Sequence, residues 1–262
     1  MARTCRSPGA EIARGAFTQS VVPFAAVAAC FPFPARAMHL EDGVLPAGGA
    51  AAWWALALLA LAVALRRLST RAARDALARP LTGTMAALIF VLSSIPIPVP
   101  VAGSSGHACG TGLAAILVGP WLTLLASFVA LLLQAVVEGH GGLTTLGANT
   151  VSMGLAGAFA GWGAFRLLRR ARLSLPAAGL AAAVAADLAT YGTTTLQLSL
   201  ALHGERSVAA ASAAIAAAFA PVQLPIAILE GAFCAGALRL LSGRRAALLV
   251  RLGVLDRGPE GA

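Results

Sequence analysis

The 262-residue sequence contains no lysine, although its formal net charge at pH 7 is +9. All 19 basic residues are arginines, and charged residues make up only 11% of the chain, compared with about a quarter in an average soluble domain. Most of the arginines lie in short blocks beside apolar runs, which is the distribution of the positive-inside rule in membrane proteins. Because the arginines lie beside membrane-type apolar runs and not across a soluble surface, we expect no nucleic-acid partner.

Sequence motifs of several enzyme classes are also missing. The chain has no GxxxxGK[ST] phosphate-binding loop, so it is not expected to hydrolyse ATP itself. It has no HExxH zinc-protease motif and no GxSxG nucleophile elbow. The four cysteines show no CxxC spacing and predict no disulfide framework. We therefore expect a protein that is not an enzyme.

Apolar runs dominate what is present. Hydrophobic residues make up 59% of the chain, and the mean hydropathy is +0.84. Several runs approach or exceed the roughly 20 residues that a helix needs to cross a bilayer. The sequence predicts an all-α, polytopic membrane protein with about six to seven transmembrane segments.

Residues 1–37 have the three parts of a secretory signal peptide. An arginine-containing start precedes the apolar residues 21–31, and Ala35 and Ala37 supply the small residues before a cleavage site. Cleavage after Ala37 would create a mature chain that begins Met38-His39. Two alternatives remain: translation that starts at Met38, and lipoprotein-type cleavage before Cys30, which would leave extra residues ahead of Met38.

Arginine blocks determine the predicted topology. Blocks follow the first apolar run and recur from Arg166 and from Arg239, so we expect these loops in the cytoplasm, the mature N-terminus outside and the C-terminus inside. Residues 38–242 are predicted to form the membrane domain, and residues 243–262 a cytoplasmic tail. The expected spans are residues 49–65, 85–101, 121–137, 148–165, 177–202 and 208–241, the last of them broken or tilted at its prolines.

The pair Gly119-Pro120 interrupts the apolar residues that follow position 110. Proline does not continue a helix, and it disfavours the helical conformation of the residue before it. Residues 111–118 are therefore predicted to form a separate short segment, which is stable at membrane depth only when protein surrounds it. Short interrupted segments of this kind form the binding sites of transporters.

The mature terminus predicts a metal chelate. The amine of Met38 together with the amide and the imidazole of His39 can close fused rings around one ion, and His107 lies in a glycine- and serine-rich loop on the same predicted side. Imidazole suits cobalt, nickel, copper and zinc. The alternative for each histidine is a solvated loop residue.

His140, Thr144 and Asn149 are predicted to support this site, because second-shell partners orient a ligand histidine. The alternative is a loop whose Thr and Asn side chains cap a helix. Two acids, Asp187 and Glu230, lie inside apolar spans, where such residues suggest function. We interpret them as isolated residues that form hydrogen bonds between helices.

Five stretches make the sequence resemble one family. They are MHLEDGVLP (38–46), FVLSS (90–94), GSSGHACGTGLAAILVGP (103–120), HGGLTTLGAN (140–149), and ADLATY (186–191) with QLPIAILEG (223–231). The chain resembles CbiM and its nickel-transporting relative NikM, the metal-binding S components of energy-coupling-factor transporters. One departure is Ala108-Cys109, where a Pro-Thr pair or similar is expected.

The resemblance implies a transport role and a set of partners. It implies that Met38, His39 and His107 bind a transported divalent ion, Co(II) or alternatively Ni(II). The implied partners are a transmembrane coupling subunit, a pair of ATPases and a small accessory membrane protein in the bacterial inner membrane. A stand-alone ion-coupled permease is the competing interpretation; paired acids and an inverted repeat would favour it.

Overall fold

The computed structural model describes residues 36–37, 39–95, 97–99 and 104–256. Residues 1–35 and Met38 lie outside these ranges, so the predicted signal peptide is covered only at its last two residues. The helices are α1 (Ala47–Ala72), α2 (Ala78–Ser93), α3 (Thr111–Val118), α4 (Pro120–Leu133), α5 (Leu146–Asn149), α6 (Ala158–Arg170), α7 (Leu175–Leu202), α8 (Val208–Arg244) and α9 (Ala246–Arg251).

Two π-helical stretches extend these helices: Gln134–Glu138 continues α4, and Thr150–Gly157 joins α5 to α6. Five of the resulting continuous helices are long and apolar enough to cross a membrane. They are Ala47–Ala72, Pro120–Glu138, Leu146–Arg170, Leu175–Leu202 and Val208–Arg244. The mostly helical, multi-pass membrane architecture is confirmed, whereas the number of crossings and the sides of the termini stay predictions.

Apolar side chains cover much of the outer surface. Leu59 is 70% exposed on α1 and Leu229 is 66% exposed on α8. The interior instead contains polar side chains, including the fully buried Gln134, Gln197 and Asp187. A soluble protein would reverse this arrangement, so the exposed leucines are the surface that contacts lipid.

The short segment predicted before Gly119 is a helix of its own. All eight residues of α3 are buried, as expected for so short a helix at membrane depth. Gly119 has a φ of 86°, which ends α3, and Pro120 occupies the first turn of α4, where its missing N–H costs nothing. The predicted break between the two helices is confirmed.

The predicted second span, residues 85–101, is wrong at its C-terminal end. Helix α2 covers Ala78–Ser93 and stops before the Ile-Pro-Ile-Pro sequence, since each proline there lacks the N–H that would continue the helix. By contrast, the last predicted span is one continuous helix, α8, despite Pro221 and Pro225 in its interior.

A small sheet combines one strand before α1 with two strands after α2, and the sequence did not predict it. Strands β1 (Arg36–Ala37), β2 (Ile97–Val99) and β3 (Ser104–Gly106) have the order β1-β3-β2, with β1 parallel and β2 antiparallel to β3. Ala37 is the register partner of Ser105. The sheet therefore brings the predicted cleavage junction beside the loop that contains His107.

Part of the predicted tail packs against the helices. Leu249 of α9 is fully buried, and Val254 is 7% exposed in the same hydrophobic cluster as Phe165. Arg251 also forms an ion pair with Asp75, at 2.6 Å, in the turn between α1 and α2. Leu249, Arg251 and Val254 thus pack against the helix bundle, and the predicted cytoplasmic tail stays a prediction.

Candidate metal centre

Three of the four histidines meet at one point. The ring centroids are 4.4 Å apart for His39 and His107, 5.0 Å for His39 and His140, and 5.9 Å for His107 and His140. One nitrogen from each ring lies within 4.8 Å of the others, a spacing at which a single ion can reach all three. His203 is not part of this cluster; its Nδ1 lies 3.2 Å from the carbonyl oxygen of Arg206.

The three imidazoles are enclosed but lack partners for key nitrogens. His107 is fully buried, His39 is 5% exposed and His140 is half-buried. Among the described residues, both ring nitrogens of His39 and the Nε2 atoms of His107 and His140 have no hydrogen-bond partner. Buried polar atoms are normally satisfied, so four unpartnered nitrogens at one point indicate a site for a cation.

Burial also keeps these rings neutral. Desolvation, with the neighbouring rings of His107 and His140, lowers the pKa of His39 well below its ordinary 6.5. Burial lowers the pKa of His107 to about 4, and it lowers the pKa of His140 as well. A metal ion requires neutral imidazole, so the site is ready to bind a metal ion near neutral pH.

Residues 140–149 hold the segment that contains His39. The side chain of Asn149 accepts a hydrogen bond from the Leu40 N–H at 2.9 Å and donates one to the Leu40 carbonyl oxygen at 3.1 Å. The Thr145 hydroxyl donates to the same carbonyl oxygen. Asn149 satisfies the buried backbone of Leu40, because a carboxamide both donates and accepts, and its predicted support of the metal site stays a prediction.

Thr144 supports the same segment through Asp42. Its N–H donates to a carboxylate oxygen of Asp42 at 2.8 Å, and its hydroxyl donates to the same oxygen. These hydrogen bonds lower the pKa of Asp42. Thr144 thus holds this segment through Asp42, and its predicted support of the metal site stays a prediction.

Glycines let the two segments approach each other closely. A Cβ on Gly142 would lie 2.5 Å from the backbone nitrogen of Asp42, and one on Gly141 would lie 3.2 Å from the Cβ of His39. Gly141 also has a φ of 79°, which a side chain disfavours. These close approaches place the His140 ring next to the His39 ring, with the two ring centroids 5.0 Å apart.

Met38, the third predicted ligand residue, lies outside the described residues. Its neighbours on both sides are described: Ala37 pairs with Ser105 in the sheet, and His39 is in the cluster.

A second polar cluster lies beyond His107, and sequence reasoning missed it. Cys109, Asp187 and Glu230 are all buried, and one ligating atom of each lies within 4.8 Å of the others. The two acids were predicted to be isolated; they converge because α7 and α8 pack closely along their length. No spacing in the sequence indicates this approach, since the acids are far apart along the chain.

The two acids have different partners. Asp187 accepts hydrogen bonds from the Gln223 amide at 2.8 Å to each oxygen, which confirms the predicted link between helices. Glu230 instead accepts from the backbone N–H groups of Cys109 and Gly110, at 2.7 and 2.9 Å. The prediction of helix-to-helix bonding is thus corrected for Glu230, which holds the loop after His107.

Comparison with known proteins identifies a single family. The family model described as "CbiM: Cobalt uptake substrate-specific transmembrane region" matches residues 39–248. A cobalt transport protein CbiM of Sorangium cellulosum is 52% identical over 222 residues, which cover 85% of this chain and 99% of that protein. A CbiM of Geobacter sulfurreducens is 49% identical over 229 residues, covering 87% of this chain and 66% of that protein.

Solved structures show the same fold. A truncated transition metal transporter matches with a TM-score of 0.69 and 24% identity, covering 78% of this chain and 98% of that chain. A second transition metal transporter matches with a TM-score of 0.68 and 24% identity, covering 82% and 99%.

Proposed function

Because the chain belongs to the CbiM family of cobalt-uptake transmembrane proteins, we propose that it is the S component of an energy-coupling-factor importer. In this proposal it binds Co(II) at the outer side of the bacterial inner membrane and supplies cobalt for cobalamin synthesis. It is not an enzyme; partner ATPases hydrolyse ATP, and a transmembrane coupling subunit and a small accessory protein complete the importer.

The observation that carries the proposal is the cluster of unpartnered, buried imidazole nitrogens of His39, His107 and His140. Nitrogen ligands of this kind select late first-row transition metals over magnesium or calcium. The Met38 amine and the His39 amide would add nitrogens once the leader is removed. We propose Met38, His39 and His107 as ligands, with His140 near enough to contribute its own nitrogen.

Nickel is the alternative cargo, because imidazole and amine ligands also accept Ni(II) and the affinity order separates the two ions only modestly. The sequence relatives named above are cobalt transport proteins, which favours Co(II). A stand-alone permease would take up cobalt when this chain is expressed without an ATPase partner. The importer proposal predicts no uptake under that condition.

The site itself is tested by titrating the purified mature protein with Co(II). Replacing His107 by Ala removes one unpartnered imidazole, so we expect affinity to fall at least about tenfold, the smaller end of the loss seen when metal-site support is removed. His203→Ala is the matched control, because His203 lies outside the cluster. Equal Co(II) affinity for His107→Ala and wild type would refute the proposed site.

A further inference from the structure

The segment 106–110, which contains His107, lies along helix α8. A Cβ on Gly106 would lie 2.9 Å from both the Gln223 side chain and the Ile226 side chain. At the other end of the segment, Glu230 accepts the N–H groups of Cys109 and Gly110. The loop that contains His107 is thus held at both ends by one helix.

Hydrogen bonding distinguishes the two polar clusters. In the histidine cluster, the ring nitrogens named above lack partners. In the acidic cluster, each of the four carboxylate oxygens of Asp187 and Glu230 already has a donor. The carboxylate oxygens of the acidic cluster therefore lack the unpartnered state that marks the histidine cluster. Their hydrogen bonds instead hold the backbone of Cys109 and Gly110 and the side chain of Gln223 in place.

Glu230 is well suited to fix this loop. Its carboxyl group is 3% exposed, and each of its two oxygens accepts one backbone N–H. Both N–H groups lie immediately before α3, so Glu230 joins the N-terminus of this helix to α8. Gly110 adopts a φ of 71°, a conformation that presents its N–H and that of Cys109 to the two oxygens of one carboxylate.

We propose that Glu230 is the positioning residue of the metal site: by binding the backbone of Cys109 and Gly110, it holds His107 at the distance from His39 that a metal ion requires. Glu230 does not contact the ion. Because Glu230 belongs to α8, the position of this helix sets the position of His107. This inference rests on the proposed function, since it assumes that His107 binds the transported ion.

The test compares Co(II) affinity and the Co(II) absorption spectrum of the purified mature protein with those of Glu230→Ala, Glu230→Gln and Cys234→Ala. Glu230→Ala removes both acceptors, so we expect affinity to fall about 10- to 100-fold with an altered spectrum. Glu230→Gln keeps the side-chain shape and one acceptor oxygen, so we expect a smaller loss. Cys234→Ala, a buried change one turn further along α8, should bind like wild type.

The outcomes separate this inference from the proposed function. If both Glu230 variants have wild-type affinity and spectrum while His107→Ala binds Co(II) more weakly, the positioning role of Glu230 is overturned and the proposed function stands. Wild-type affinity in His107→Ala overturns both proposals. Should Glu230→Ala fail to fold, Glu230→Gln decides, since reduced affinity supports the inference and unchanged affinity overturns it. A different result would be two bound Co(II) ions per wild-type chain and one in Glu230→Gln, with unchanged affinity for the remaining ion. That result would overturn the positioning role and indicate a second metal site.

Discussion

At the scale of residues, the metal centre consists of buried imidazoles with nitrogens that have no hydrogen-bond partner among the described residues. His39 and His107 are buried as deeply as core residues, yet their free nitrogens face one another. Burying such groups costs free energy, which binding of the ion would offset. The cost is visible in the lowered pKa values of the same rings.

The lowered pKa values predict how the stability of the metal-free protein depends on pH. An unfolded histidine binds a proton near pH 6.5, whereas folded His107 does so only at about 4. Between these values the unfolded state binds more protons, so stability falls as the pH falls from about 6.5 towards 4. Thermal unfolding of the metal-free protein at pH 7 and pH 5 measures this effect.

The control for this measurement is His107→Gln, which removes the ring without removing polarity. We expect its unfolding temperature to change less between pH 7 and pH 5 than that of the wild type. An equal change in both proteins would show that His107 is not held neutral by the fold.

At the scale of elements, α3 connects the metal centre to the rest of the bundle. The helix follows the His107 loop directly, and its close contact with α7 depends on a glycine. A Cβ on Gly112 would lie 2.5 Å from the Cα atom of Ala183, a backbone atom that cannot turn away as a side chain can. The short distance between these two helices leaves no room for a side chain.

Replacing Gly112 by Ala should therefore push α3 away from α7. We expect a destabilisation of about 1–3 kcal/mol, the usual cost of overpacking a core, together with weaker Co(II) binding because His107 moves with α3. Thermal unfolding and Co(II) titration measure the two effects. Gly192→Ala on α7 is the matched control, because its Cβ meets no atom within 4 Å; an equal effect of both changes would contradict this account.

The elements also show what could be predicted from the sequence. The break at Gly119-Pro120 and the short helix before it follow from local backbone chemistry, so both were predicted correctly. The three-stranded sheet was not predicted, because its strands are two or three residues long and depend on pairing between distant segments. The proline-rich residues that follow α2 were wrongly predicted to continue the membrane span, because their hydrophobicity was weighted above their missing N–H groups.

The site was predicted in part for a similar reason. His39 and His107 stand in recognisable motifs, so sequence reasoning could select them. The roles of Asn149 and Glu230 depend on which backbone groups are left unsatisfied after folding, as at Leu40 and Cys109. Which backbone groups need a side-chain partner is decided by tertiary packing, so no local sequence pattern predicts the residue that supplies it.

At the scale of the whole molecule, the arginine blocks meet at one end of the bundle. Arg251 pairs with Asp75 beside the first block. Gly253, Val254 and Asp256 line the same cavity as Arg166, Arg169 and Arg170. Arg71 donates to the carbonyl oxygen of Val118 at the C-terminus of α3, whereas the histidines lie before its N-terminus. The cationic end and the metal centre are thus at opposite ends of α3.

This arrangement predicts the orientation in the membrane. By the positive-inside rule the arginine end faces the cytoplasm, which places the metal centre and the loop between α7 and α8 outside. A reporter active only outside the cytoplasm should be active when fused after residue 204 and inactive when fused after residue 262. The reverse pattern would contradict the predicted topology.

The central claim is that the mature N-terminus and the clustered histidines form one Co(II) site. The most direct measurement is Co(II) titration of the mature protein, with its first residue confirmed as Met38 by mass spectrometry, against a variant with one extra residue ahead of Met38. The extension moves the free amine away from the amide and imidazole of His39, so we predict folded protein whose affinity falls at least about tenfold. Equal affinity in the two proteins would contradict the account.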